Sequence, residues 1–263
     1  MNRLIITMVI LFSLVFGLLI YANARMNLMV VGGGGEVASG CPEGTYDAYW
    51  IGDSDDPNGL CVNSGASTKQ PTTESVTIHT DYGSGGYAGA LVEGTGDERV
   101  EWAVSSEDVF DDALGTIWFS VYRVTNTSET VLVEGNAGAN TNFIAVTLGN
   151  SGRPKGFYKG NNTPDDVNAP AITGAIALST WTRVRYSWDQ ASDKHLIGID
   201  DCDAGEYLEA TSEGLTEWSA SPTGFLVGDE VSNYTPGSMT VYVQDVSVHS
   251  TYDAADPNPS PID

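Results

Sequence analysis

Arg183 and Arg185 stand two apart in segment 182–188, and Trp118, Ser120 and Tyr122 alternate with Ile117, Phe119 and Val121 in segment 117–123. Successive side chains of extended backbone leave opposite faces, so a strand that buries Val184, Tyr186 and Trp188 turns both arginines the other way. The same rule sends Trp118, Ser120 and Tyr122 away from the core. If the two strands share a sheet, Trp118, Tyr122, Arg183 and Arg185 meet on one outward surface. Ring faces stack on the C–H faces of sugars, and guanidinium forks grip hydroxyls or carboxylates, so this set could bind a carbohydrate. A curved sheet could equally bury Trp118 and Tyr122 beneath a loop, with the arginines answering an acidic surface.

A second set could hold a metal. Asp53, Asp55, Asp56 and Asn58, closed by Gly59, crowd oxygen ligands into one loop, and Ca²⁺ takes about six to eight oxygens. Asp53, Asp55 and Asn58 are the candidate ligands for calcium, although their spacing is not that of an EF-hand. Asp200, Asp201 and Asp203 make a second acidic turn, and such loops also occur as plain turns. Asn126, Asn161 and Asn233 each begin an N-x-Ser/Thr sequon, which matters where the host glycosylates exported asparagines.

Catalytic sets are harder to find. Cleaving a glycan needs two carboxylates a few ångströms apart, and a Glu-x-Asp-x-Glu strand would supply them on one face. The chain has no such triplet, and Glu206 and Glu209 fall on opposite faces of any strand. There is no G-x-S-x-G elbow. His79, His195 and His249 have no recognisable Ser or Cys partner and read as surface or cross-strand histidines. The reading therefore favours a non-catalytic protein. A polysaccharide hydrolase, or a lyase using Tyr, His and Arg, stays open as the less favoured alternative.

The elements that must position these residues are strands. Val100, Trp102 and Val104 share one face, as do Ile144, Val146 and Leu148, and turn residues punctuate such runs. Further strand candidates are 46–51, 76–79, 131–134, 156–158, 196–200, 225–228 and 240–248. Ahead of them, Arg3 precedes an uncharged run from Leu4 to Ile20 and then Tyr21, Ala22, Asn23 and Ala24. That order of positive, apolar and small-residue regions marks residues 1–24 as a signal peptide or a retained N-terminal anchor, a leader helix in either case. Residues 25–44, with Gly32 to Gly35, read as a flexible spacer. Residues 253–263 carry Pro257, Pro259 and Pro261, cannot join a sheet, and are expected to be extended and solvated. Export permits disulfides, and Cys41 with Cys61 would staple the first loop of the body. Cys202 is left over, as a buried small hydrophobe or as an intermolecular bridge.

The order of these runs resembles the concanavalin A-like jelly roll, in particular its laminin-G-like branch. The resemblance rests on 115–121 (Gly-Thr-Ile-Trp-Phe-Ser-Val), 143–149, 181–189, 197–201, 225–229 and the closing strand 241–248 with Asp245. It implies one jelly-roll β-sandwich of two antiparallel sheets over residues 45–252. Where the family shows Asp-Gly in a hairpin, this chain has Asp201, Cys202 and Asp203, so that turn departs from the pattern.

Composition narrows the partners. The formal charge is −24, from 35 acidic and 11 basic residues. Such a body repels phosphate backbones and anionic lipid, which argues against nucleic acid and leaves the N-terminal segment, if uncleaved, as the sole contact with a membrane. The expectation is a secreted or cell-surface module that binds a glycan or polysaccharide, or serves in adhesion. A self-assembling surface or particle subunit is the alternative.

Overall fold

A computed structural model describes residues 41–256, apart from 42–43, 53–58, 65–66, 75–76, 79–89, 94–98, 105–110, 127–128, 138–141, 161–162, 169–174, 202–205 and 229–238. The leader, most of the spacer, the loop holding Asp53, Asp55 and Asn58, His79 and Cys202 lie outside the described residues, as does the tail beyond Asp256.

Among the described residues the protein is all β. Its strands are β1 (Ala48–Trp50), β2 (Leu60–Val62), β3 (Ser67–Lys69), β4 (Thr73–Glu74), β5 (Thr77–Ile78), β6 (Ala90–Glu93) and β7 (Arg99–Ala103), then β8 (Leu114–Asn126), β9 (Thr130–Asn136), β10 (Phe143–Leu148), β11 (Pro154–Gly160) and β12 (Thr163–Asn168). The last are β13 (Trp181–Asp189), β14 (Lys194–Asp201), β15 (Glu206–Ser212), β16 (Gly224–Gly228) and β17 (Met239–His249). They form two antiparallel sheets. One runs β15-β14-β13-β8-β17-β1-β2-β3, with β6 also on β17 and β5 on β6; the other runs β12-β11-β10-β9-β16-β7-β4.

Alternation dictates what each sheet buries. Ile117, Phe119 and Val121 of β8 and Val184, Tyr186 and Trp188 of β13 meet Val100 and Trp102 of β7, Ile144, Val146 and Leu148 of β10, and Phe225 and Val227 of β16 in one buried cluster. Trp102 stacks on Phe225, ring centroids 6.1 Å apart, and takes the edge of Trp50 at 6.0 Å. Two of the buried rings use their polar atoms: Trp188 Nε1 donates to Asp111 O at 2.9 Å and the Tyr158 hydroxyl to Asp112 O at 2.9 Å. Two rings also need room that only glycine leaves. A Cβ on Gly156 would lie 2.2 Å from the Tyr186 ring, and one on Gly115 would lie 2.3 Å from Trp188.

The strands that alternation misses are mostly edges. The outermost strands β3, β15, β4 and β12 have polar, short or interrupted runs, as edges must if they are not to template aggregation. The expected disulfide is present: Cys41 and Cys61 are bonded, with Cα atoms 5.8 Å apart, tying the segment before β1 to β2. Around it Tyr46 and Tyr49 pack with Cys61.

Candidate functional site

The antiparallel register of β8 with β13 sets Ser120 opposite Arg183, Trp118 opposite Arg185 and Tyr122 opposite Trp181. On the other side of β8, β17 places Gln244 beside Ser120, Ser247 beside Trp118 and Tyr242 beside Tyr122. The outer face of the larger sheet therefore carries parallel rows: Tyr242–Tyr122–Trp181, Gln244–Ser120–Arg183 and Ser247–Trp118–Arg185. All four expected residues lie on this face. They divide between two settings.

The first is an aromatic row. The Tyr122 ring lies 5.4 Å from that of Trp181 and 6.0 Å from that of Tyr242, tilted in both cases. Tyr122 and Trp181 are half-buried and Tyr242 is buried. Leu178, 56% exposed, stands just before Trp181 and bridges to Arg123 at the end of this row. Trp181 and Tyr242 escaped the sequence reading although parity signals both. Trp181 precedes Arg183 by two residues, and Tyr242 shares its strand parity with Gln244.

The second setting is a guanidinium cluster built on Trp118. The Arg183 and Arg185 guanidinium carbons lie 5.8 and 5.3 Å from the centre of the Trp118 ring, within cation–π range. Arg183 Nη1 donates to Ser120 Oγ at 3.1 Å and to Asp245 O at 2.9 Å. That carbonyl is available because β17 bulges between Gln244 and Ser247 and Asp245 takes a positive φ of 52°. The Asp245 carboxylate accepts from the Tyr49 hydroxyl at 3.0 Å, and burial together with that carboxylate pushes the phenol well above its ordinary range. Burial works against the Arg183 charge, yet its hydrogen bond to Asp256 and the charges of Asp256 and Asp245 hold it above the usual value.

The cluster is not open. Trp118, Arg183 and Arg185 are 6%, 3% and 7% exposed, because the chain turns back after β17 and lies across them. Residues 253–256, expected from their place in the tail to be solvated, dock instead on the sheet. Trp118 Nε1 donates to Ala254 O at 2.9 Å. Arg183 donates through Nε and Nη2 to the two carboxylate oxygens of Asp256 at 3.0 and 2.7 Å, and Arg185 pairs with Asp253. The physical reason is charge: in so acidic a chain the two arginines draw carboxylates within reach, and the segment following β17 supplies two.

His195 and His249 are buried, not at the surface. His195 contacts Tyr186 in the core, and His249 Nε2 lies 3.1 Å from Ser247 Oγ. Among the described residues no group of three or more His, Cys, Asp or Glu side chains is placed to hold a metal.

No family model and no curated protein matches the chain. Solved structures share its fold. The binding domain of Paraclostridial Mosquitocidal Protein 1 superposes with a TM-score of 0.57 at 12% identity, over 79% of this chain and 50% of that one. The binding domain of Botulinum Neurotoxin DC, in complex with SialylT, gives a TM-score of 0.53 at 15% identity over 81% and 50% of the two chains. Trypanosoma rangeli sialidase in complex with sialic acid gives 0.53 at 14% identity over 81% and 32%. The chain spans half or less of the length of these structures, and at such identities the likeness is one of fold.

Proposed function

We propose that this chain is an exported, non-catalytic carbohydrate-binding module of the concanavalin A-like, laminin-G-like kind, which engages its glycan on the outer face of the larger sheet. The row Tyr242–Tyr122–Trp181 carries the reading. Two of its rings are partly open to solvent, and the adjoining row carries the polar side chains of Gln244, Ser120 and Arg183, which are buried with residues 253–256 docked. A row of aromatic rings beside a few fixed polar groups is an arrangement that reads a sugar's C–H face and its hydroxyls together. Solved structures of the same fold support the class of ligand. One is a toxin binding domain in complex with SialylT and another a sialidase in complex with sialic acid. The charge of −24 supports it from the other side, by disfavouring the phosphate backbone of nucleic acid.

The test is retention of the purified protein on a panel of immobilised glycans, with and without Trp181→Ala and Tyr122→Ala together. A loss of ten-fold or more in affinity is expected, about 1.4 kcal/mol. Undiminished retention with an intact fold would remove this face from consideration.

A further inference from the structure

We infer that residues 251–256 act as an internal ligand of this face, holding the place of a carboxylate-bearing sugar that binds when the segment lifts. The inference rests on the glycan-binding reading above and adds to it the ligand class and a gate.

The segment has the form of a strap. Strand β17 ends at His249, and the chain reverses through Asp253, whose positive φ of 55° is a conformation Asp tolerates better than most residues. Thr116 Oγ1 donates to Thr251 O at 2.6 Å and accepts from the Ala254 amide at 3.1 Å. Side-chain bonds to Trp118, Arg183 and Arg185 add to the attachment, and Lys194 Nζ lies 4.4 Å from the centre of the Tyr252 ring. No residue of the strap pairs as a strand or joins a core cluster, and Thr251, Asp253 and Ala255 are exposed. Its two ionic contacts, Asp256 on Arg183 and Asp253 on Arg185, are ones that another carboxylate could take over.

The chemistry of that replacement selects the ligand. Both oxygens of Asp256 sit on the Arg183 fork, the two-point geometry in which a guanidinium takes any carboxylate. Arg183 is 3% exposed beneath the segment, so a sugar that takes the segment's place covers the guanidinium again and must supply its counter-ion. A neutral sugar cannot supply one. An acidic sugar can, and its ring would then lie toward Tyr122 and Trp181, one row along the sheet. A further group is ready to receive it: Gln244 Nε2, in the same row as Ser120 and Arg183, is buried with no hydrogen-bond partner.

The test compares the full-length protein with its Asp253→Asn, Asp256→Asn variant, titrated with sialyllactose, with a galacturonate oligosaccharide and with lactose. The variant should bind one of the two acidic sugars at least ten-fold more tightly than the unaltered protein, and lactose no better; which acid gains tells a sialic acid site from a uronic acid site. Equal affinities in the two proteins, or an equal gain for lactose, would overturn the strap. In case the variant is poorly folded, hydrogen exchange on the unaltered protein reads the same event. Saturating acidic sugar should speed exchange at the Ala254 amide, and unchanged or slower exchange overturns the inference. Binding that is lost with Trp181→Ala, Tyr122→Ala but indifferent to the two Asn substitutions sinks the strap and leaves the glycan reading standing. No glycan bound by either protein sinks both.

Discussion

The Tyr186 hydroxyl and His195 Nδ1 lie 2.8 Å apart inside the core, on adjacent strands β13 and β14, and neither side chain is exposed. His195 Nε2 has no hydrogen-bond partner, so the ring has no second group to stabilise a positive charge. Burial pulls its pKa down to about 4, against a weaker upward pull from Asp193. A histidine whose folded pKa falls below its unfolded value stays neutral in the native state while the unfolded chain takes up protons. Its contribution to stability is present above pH 6.5 and is lost as pH falls through about 4.

His195 is therefore expected to make the fold acid-sensitive by about 3 kcal/mol across that window. His249, also lowered by burial, acts in the same direction, so the wild-type loss alone does not isolate His195. The difference in urea stability between the wild type and His195→Gln, measured at pH 7 and at pH 4, does. It should shrink by about that amount on acidification. A difference that stays constant with pH would show that His195 does not titrate between the two states.

The Arg183–Asp256 pair is expected to behave as a buried ion pair, since its side chains are 4% and 12% exposed. Removing one partner of such a pair strands the other, so Asp256→Ala should cost about 3 kcal/mol in urea unfolding. Replacing both, with Arg183→Met added, should recover part of that loss, because no unpaired guanidinium remains. A double variant less stable than Asp256→Ala by the full cost of a second lesion would place the stabilisation in Arg183's other contacts, with Ser120 and Asp245.

Reduction of the Cys41–Cys61 bond should lower stability without unfolding the sheets. The bond closes a loop with a sequence separation of 20 residues, worth about 3 kcal/mol by loop entropy. It joins only the small outer cluster of Tyr46 and Tyr49, apart from the main core. Melting with and without reductant should show one cooperative transition moved to lower temperature. Loss of cooperativity would mean that the bond organises more than its own corner.

Much of this architecture is legible in the sequence because strand parity is local. The alternation in 117–123 and 182–188 suffices to place Trp118, Tyr122, Arg183 and Arg185 on one face, and the register confirms that placement. What covers the face is not local. Asp256 meets Arg183 across 73 residues of sequence, and prolines in a tail forbid a strand without saying where the chain goes. The bulge at Asp245 is equally silent, since one residue in a left-handed conformation leaves the apolar alternation around it nearly intact. Polar edge strands such as β12 and β15 carry little alternation to read. The acidic loop of Asp53, Asp55 and Asn58 lies outside the described residues, and calcium there stays an expectation.

Gly156 supplies the sharpest test of how the two sheets meet. It sits on β11 of the smaller sheet, and the Tyr186 ring from β13 of the larger sheet covers it, leaving a would-be Cβ 2.2 Å from the ring. That is far inside contact distance, and the obstacle is a rigid aromatic edge that is itself fully buried and bonded to His195. Gly156→Ala must push the sheets apart or drive Tyr186 from its rotamer, at a cost of about 3 kcal/mol. Tyr186→Leu alone should also destabilise, by emptying volume and leaving His195 without its bonded neighbour. Combined, the two should cost clearly less than their sum, because the shorter side chain vacates the space the methyl needs. Full additivity in urea unfolding would mean that Gly156 and Tyr186 do not touch, and that the sheets are packed in some other register.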